Sequence, residues 1–301
     1  MKKCSVIPVT KRLSLAMALS ACAASALATE GGGGMYPNGN ENYLVAAMPP
    51  PGVYVLEYLI GYQADKLRDN HGDQIPLDFN VKVAAAATRL IWVTDQKILD
   101  GQLALHVIAP LLNVDVSVAG KNQSQTGLGD MVFGAGLGYH ASDKLHYVFA
   151  VDINAPTGRY DKNDLANLGR NYWNIEPLAT VSYIQKSGLN ADLKVMYDFN
   201  GKNKDSDYTS GQELHADYAL GWGFGNGLVA GVGGFLYQQI TDDKVGGVTL
   251  ADQRGRAMSI GPTIKYDNGS GFFVTAKIEK EFGVRNRADG TGIKVKFNIP
   301  F

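Results

Sequence analysis

The side chains able to do acid–base or nucleophilic chemistry are few and scattered. The five histidines are His71, His106, His140, His146 and His215. Nucleophilic catalysis needs a Ser, Cys or Thr beside a base, and a third group to orient that base. No serine here stands in a G-x-S-x-G setting. His215 with Asp217 is the best acid–base pair, yet polar residues two apart on a strand share a face by default. A Ser near His106 or His215 in the folded wall would instead mark a lipid- or acyl-modifying enzyme. An H-E-x-x-H motif is absent. Asp161-Lys162-Asn163-Asp164 begins like a calcium loop, but Leu165 stands where an oxygen ligand is needed and Ala166 where the turn requires glycine. The reading is a protein with no catalytic centre, no metal and no cofactor: not an enzyme.

The elements that carry these residues begin after a leader. Lys2, Lys3, Lys11 and Arg12 precede a short apolar stretch from Leu13 to Ala24, and Ala26-Leu27-Ala28 then reads as a small-residue cleavage site. This predicts a secretory signal peptide over 1–28. The stretch is short of the roughly 20 residues that a membrane-spanning helix needs. Leu19-Ser20-Ala21-Cys22 also resembles a lipoprotein box, so acylation of Cys22 is the competing reading. Both cysteines, Cys4 and Cys22, precede the Ala28 site, leaving a mature chain without thiols. Cleavage removes four of the 28 cations and none of the 29 acids, giving about −5. Nothing forms a basic stripe for nucleic acid.

Residues 29–51, rich in Gly, Asn and Pro, form an irregular segment that either plugs a lumen or hangs in the periplasm. From residue 52 to 301 the pattern predicts twelve strands: 53–63, 79–94, 102–118, 130–140, 145–154, 174–185, 189–197, 213–223, 228–239, 257–266, 271–281 and 292–301. Ile293, Val295, Phe297, Ile299 and Phe301 alternate with Lys294, Lys296 and Asn298, and Leu145, Tyr147, Phe149, Val151 and Ile153 alternate with His146 and Asp152. One face suits lipid and the other water. Short connections such as 141–144 alternate with long ones such as 155–173, and the strand count is even. The fold class is therefore all-β, a transmembrane antiparallel up-and-down β-barrel of about 12 strands in a bacterial outer membrane, with both termini periplasmic. A soluble β-sandwich would have fewer strands. Tyr54, Tyr58 and Tyr62 on the first strand are candidates for an interfacial girdle. Gly134, Gly136 and Gly138, like Gly231, Gly233 and Gly234, lie inside strands and would widen the lumen where they face it.

By parity, the lumen-facing charges are Glu57, His146, Asp152, Asp192, Lys194, His215, Asp217, Lys265, Lys277, Glu279, Lys294 and Lys296. Their mixed sign predicts weak ion selectivity. The terminal Phe301, after alternating apolar residues, resembles the signal read by the barrel-assembly machinery.

Several motifs carry a family likeness. They are Pro49-Pro50-Pro51-Gly52, Gly127-Leu128-Gly129-Asp130, Asn154-Ala155-Pro156-Thr157-Gly158-Arg159-Tyr160, Asn171-Tyr172-Trp173 with Glu176-Pro177, Gly233-Gly234-Phe235 with Tyr237-Gln238-Gln239, and Ile260-Gly261-Pro262. In order and spacing the set resembles the outer-membrane channel family named for the phenol meta-cleavage pathway. That resemblance implies a monomeric twelve-stranded barrel passing small hydrophobic, aromatic or bulky molecules by diffusion. Its expected partners are membrane lipid, lipopolysaccharide, the assembly machinery and such solutes. A sealed structural barrel is the further alternative, to be recognised by inward salt bridges and a lumen filled by residues 29–51.

Overall fold

The computed structural model describes residues 29–300. Twelve antiparallel strands form its wall: β1 (Gly52–Leu67), β2 (Phe79–Ile98), β3 (Gly101–Val118), β4 (Met131–His140), β5 (Leu145–Ala155), β6 (Asn174–Tyr183), β7 (Ser187–Asn200), β8 (Glu213–Phe224), β9 (Leu228–Gln239), β10 (Arg256–Asp267), β11 (Phe273–Arg285) and β12 (Ala288–Ile299). Each strand pairs with its chain neighbours, and β1 pairs with both β2 and β12, so the sheet closes into a barrel without a free edge. Closure satisfies every strand's backbone in hydrocarbon, where water cannot.

Alternation dictates the two faces. Phe133, Phe149, Val151, Ile153, Leu193, Leu220, Ile264, Ile278 and Ile293 are exposed on the outside, where only lipid makes such a surface stable. Trp92, Trp222, Phe224 and Tyr266 mark the short-turn end of this band, and Trp173, Phe199 and Phe282 the long-loop end. These are two interfacial girdles, and the molecule is a transmembrane β-barrel of the outer-membrane type. The short turns mark the periplasmic end and the long loops the external one.

Three features depart from the sequence reading. Residues 119–129, expected as a loop, contain a strand at Lys121–Leu128 that folds back on the top of β3. The turn residues Ala119 and Gly120 both have positive φ, as a two-residue type I′ hairpin requires. Pro110, which interrupts the apolar alternation, sits where β3 exchanges β4 for this hairpin: the pairing with β4 ends at Ile108 and that with the hairpin begins at Leu111. A proline lacks the N–H that a continuous ladder would use there. Four short strands, Lys202–Asn203, Tyr208–Thr209, Asp243–Val245 and Val248–Leu250, also form a small sheet among the external loops.

The Tyr54, Tyr58 and Tyr62 face turns inward, not toward the membrane interface. Tyr58 is only 2% exposed and Tyr62 donates to Glu281. Residues 1–28 and Phe301, and with them the signal peptide, Cys22 and the assembly signal, lie outside the described residues.

Candidate functional site

The lumen is occupied by the chain's own N-terminal segment. Residues 29–51 enter beside β1 at the periplasmic end and run the length of the barrel. Near that end Ala46 N donates to Ser182 Oγ (2.9 Å) and Val45 N to Asp192 Oδ1 (3.1 Å). Midway, Tyr36 Oη and the backbone N–H groups of Gly39 and Glu41 all donate to Asp217, at 2.6, 2.8 and 2.8 Å. At the external end Glu30 accepts from Tyr160 Oη and Asn203 Nδ2, each at 2.7 Å. The segment neither hangs in the periplasm nor begins there: Thr29 lies among the external loops. A chain without regular structure exposes unpaired backbone groups, and polar wall side chains supply their partners.

Glu41 is the electrostatic centre. Its carboxylate accepts from Lys296 Nζ (2.7 Å) and Tyr58 Oη (3.0 Å) and faces Arg89 at 3.7 Å, and its carbonyl accepts from Lys277 Nζ (3.1 Å). Three cations, Lys296, Lys194 and Arg89, thus surround this buried carboxylate. Lys294 donates to Asn38 O and pairs with Glu279 at 2.7 Å, while Lys277 faces the same carboxylate at 3.3 Å. Asn42 Oδ1 accepts from Thr263 Oγ1 (2.7 Å). Glycines let the segment fit. Gly39 has φ +73, and a Cβ there would collide with the Glu279 carboxylate; at Gly221 the space a Cβ would fill is taken by the Tyr43 hydroxyl.

Of the twelve charges expected in the lumen, Asp152, Asp192, Lys194, His215, Asp217, Lys265, Lys277, Glu279, Lys294 and Lys296 are buried inside the barrel. His146 is half-buried near the periplasmic turn, beside His140 (2.7 Å). Glu57 is a correction. Its neighbour Tyr58 points inward, so period 2 puts Glu57 on the outer face, where it accepts from Thr88 Oγ1 at 2.8 Å. The strand glycines do not widen the lumen either: His106 and Asp152 fill the space at Gly134, and Met48 fills it at Gly138.

His215 does not pair with Asp217 as a catalytic unit. Its Nε2 lies 2.7 Å from Asp198 Oδ2 and 3.2 Å from Glu213 Oε2, and its Nδ1 is 2.5 Å from Asn38 Oδ1. Asp198 and Glu213 face each other directly across β7 and β8. Among the described residues these three bring metal-ligand atoms within 4.8 Å of one another. Both ring nitrogens are already engaged, Nε2 by the two buried carboxylates and Nδ1 by the Asn38 amide, so the ring sits as a wedge between Asp198 and Glu213. His106 is likewise held, by Arg89 at 2.8 Å and Asp152 at 3.2 Å.

The lumen is asymmetric. The segment is bound to polar side chains of β6–β12 and, at mid-barrel, to Tyr58 and Arg89, whereas the inward positions above Tyr58, Arg89 and His106 are Ile60, Val83, Ala85, Ile108, Pro110 and Leu112, all half-buried. An apolar gutter thus lies beside the polar plug over the external half of the β1–β3 wall.

Sequence reasoning did not single out Glu41, Asn38, Asn42 or Tyr36, which the structure places against these wall charges. A signal was there: Glu30 and Glu41 are the only charged residues of 29–51, opposite strands rich in inward lysines.

Residues 64–297 match the family model described as "Putative MetA-pathway of phenol degradation". No curated protein matches the chain. The COG4313 outer membrane channel from Pseudomonas putida F1 shares the fold, with TM-score 0.72 at 19% identity over 85% of this chain and 97% of the other. The translocator domain of autotransporter NalP from Neisseria meningitidis superposes at TM-score 0.48 and 12% identity over 85% and 91%. The TodX monoaromatic hydrocarbon channel does so at 0.45 and 11% over 88% and 96%.

Proposed function

The chain belongs to the family described as "Putative MetA-pathway of phenol degradation", and on that premise we propose that it is an outer-membrane channel for passive diffusion of small hydrophobic, aromatic or bulky molecules. The observation that carries the reading is the apolar gutter of Ile60, Val83, Ala85, Ile108, Pro110 and Leu112, which leaves the external half of the β1–β3 wall unclaimed by the polar plug. An apolar solute moving along it gives up little hydration, while a sugar or an ion meets no hydrogen-bonding partners there. The barrel works as a monomer in the bacterial outer membrane, inserted by the barrel-assembly machinery. At its external rim Lys66, Arg256 and Arg285 line a cleft with Arg68 and Lys280, which pair with Asp289 there, leaving a net positive surface to meet lipopolysaccharide phosphates. No step of this function asks for catalysis.

A second reading, a sealed structural barrel, is favoured by the inward salt bridges and the threaded segment. Flux into liposomes separates the two, using neutral aromatics, monoaromatic acids and sugars of graded size, on the wild type, a deletion of 29–51 and Leu112→Lys. The channel reading expects neutral aromatics to pass through wild type faster than sugars, Leu112→Lys to slow them, and the deletion to admit sugars. Absence of flux in both wild type and deletion would leave the sealed barrel.

A further inference from the structure

Asp243 is a buried carboxylate, 0% exposed, on the small external sheet. Its Oδ1 accepts from Gly211 N (2.7 Å) and Gln239 Nε2 (2.8 Å), and its Oδ2 from Tyr208 Oη (2.6 Å) and Thr29 N (3.0 Å). These are neutral donors, and among the described residues no Lys, Arg or His forms an ion pair with it. A buried carboxylate without a cation is costly, and burial raises its carboxyl above the ordinary aspartate value. The fourth donor is the backbone nitrogen of a residue that is itself only 1% exposed. That residue directly follows Ala26-Leu27-Ala28, the small-residue site where the sequence places signal-peptide cleavage.

We propose that hydrolysis of the Ala28–Thr29 peptide bond turns the Thr29 nitrogen into an α-ammonium that ion-pairs with Asp243, clasping the threaded segment to the external sheet. A signal peptidase adds water across the bond. Ala28 leaves with the new carboxylate, and the released amine takes up a proton. One N–H donor becomes a group with three donors and a full charge, placed against the buried carboxylate that lacks a cation. Glu30, next in the chain, is already held by Tyr160 and Asn203, so the terminus is fixed on two sides. The clasp joins the first residue of the mature chain to a loop 214 residues away.

The test uses protein purified from outer membranes after expression of the complete precursor. N-terminal sequencing and intact mass should place the mature terminus at Thr29. The α-amine is then labelled at pH 7 with an amine-reactive ester, in wild type, in Asp243→Asn, and in a variant with one Ala inserted after Ala28, which carries the charge one residue beyond Asp243. An ion pair that raises the amine's pKa by one unit lowers its reactive fraction about tenfold. Labelling at least about tenfold faster in Asp243→Asn than in wild type supports the clasp. The insertion variant should behave like Asp243→Asn, and it stands in for that variant if Asp243→Asn does not give a heat-modifiable barrel. A mature terminus at any other residue, including a lipidated Cys22, would overturn the proposal, as would equal labelling rates in wild type and variant. Neither result bears on solute flux.

Discussion

Glutamine at position 41 tests how the plug is held. The Glu41 carboxylate meets Lys296 Nζ at 2.7 Å and Arg89 at 3.7 Å inside the barrel, and accepts from Tyr58 Oη at 3.0 Å. The amide of Glu41→Gln can keep the Tyr58 hydrogen bond but leaves Lys296 buried without its counter-charge. Removing one partner of a buried ion pair costs about 3–5 kcal/mol. Because each ~1.4 kcal/mol is tenfold, the seated plug loses roughly a hundredfold or more of its advantage over the released one. Conductance in planar bilayers and proteolysis of residues 29–51 in detergent both read that equilibrium. At pH 7 Glu41→Gln should open more and be cut faster than wild type. Unchanged conductance together with an unchanged cleavage rate would refute the assignment of Glu41 as the electrostatic anchor.

Gly39→Ala places a Cβ against Glu279 at a positive φ, so it should loosen the segment by about 1–3 kcal/mol, seen as faster proteolysis of residues 29–51 in detergent-solubilised protein. His215→Gln leaves Asp198 and Glu213 facing each other without a cation. It should destabilise the barrel by about 3–5 kcal/mol, read as a lower temperature for the heat-induced shift in gel mobility. Leu220→Lys, on the lipid face of β8, should cost about 2–4 kcal/mol near mid-membrane and lower the yield of assembled barrel, with no change in conductance per folded molecule.

The twelve strands were legible because lipid and lumen impose a period of two that few other folds sustain for so long. Lys294 and Lys296 against Ile293 and Val295 announce their faces without ambiguity. The first strand misled because Glu57 sits among tyrosines: charge suggested inward, but the tyrosines need the inner positions to reach Glu41 and Glu281 with their hydroxyls. The lysine side chains were found, but not their purpose, since their partners lie in a segment with no periodicity to read. The family motifs show the same limit. Gly129-Asp130 and Thr157-Gly158 were visible as strings, yet their role is tertiary: Asp130 accepts from Gly158 N (2.9 Å) and Arg170 N (2.7 Å), binding two external connections together. A Cβ on Gly158 would lie 2.8 Å from Gly169 Cα, so the two chains cross there without side chains between them.

The threaded N-terminal segment also sets an order of events. A loop of wall encircles the beginning of its own chain as an eye encircles thread, and β1 and β12 are the two edges that complete the eye. The thread must be in place when that seam zips, or be fed through afterwards from the periplasm, free end first. In the second case nothing bulky can be carried at Thr29. A folded domain fused there would jam the bore, whereas insertions in the external 240–250 region would leave it clear.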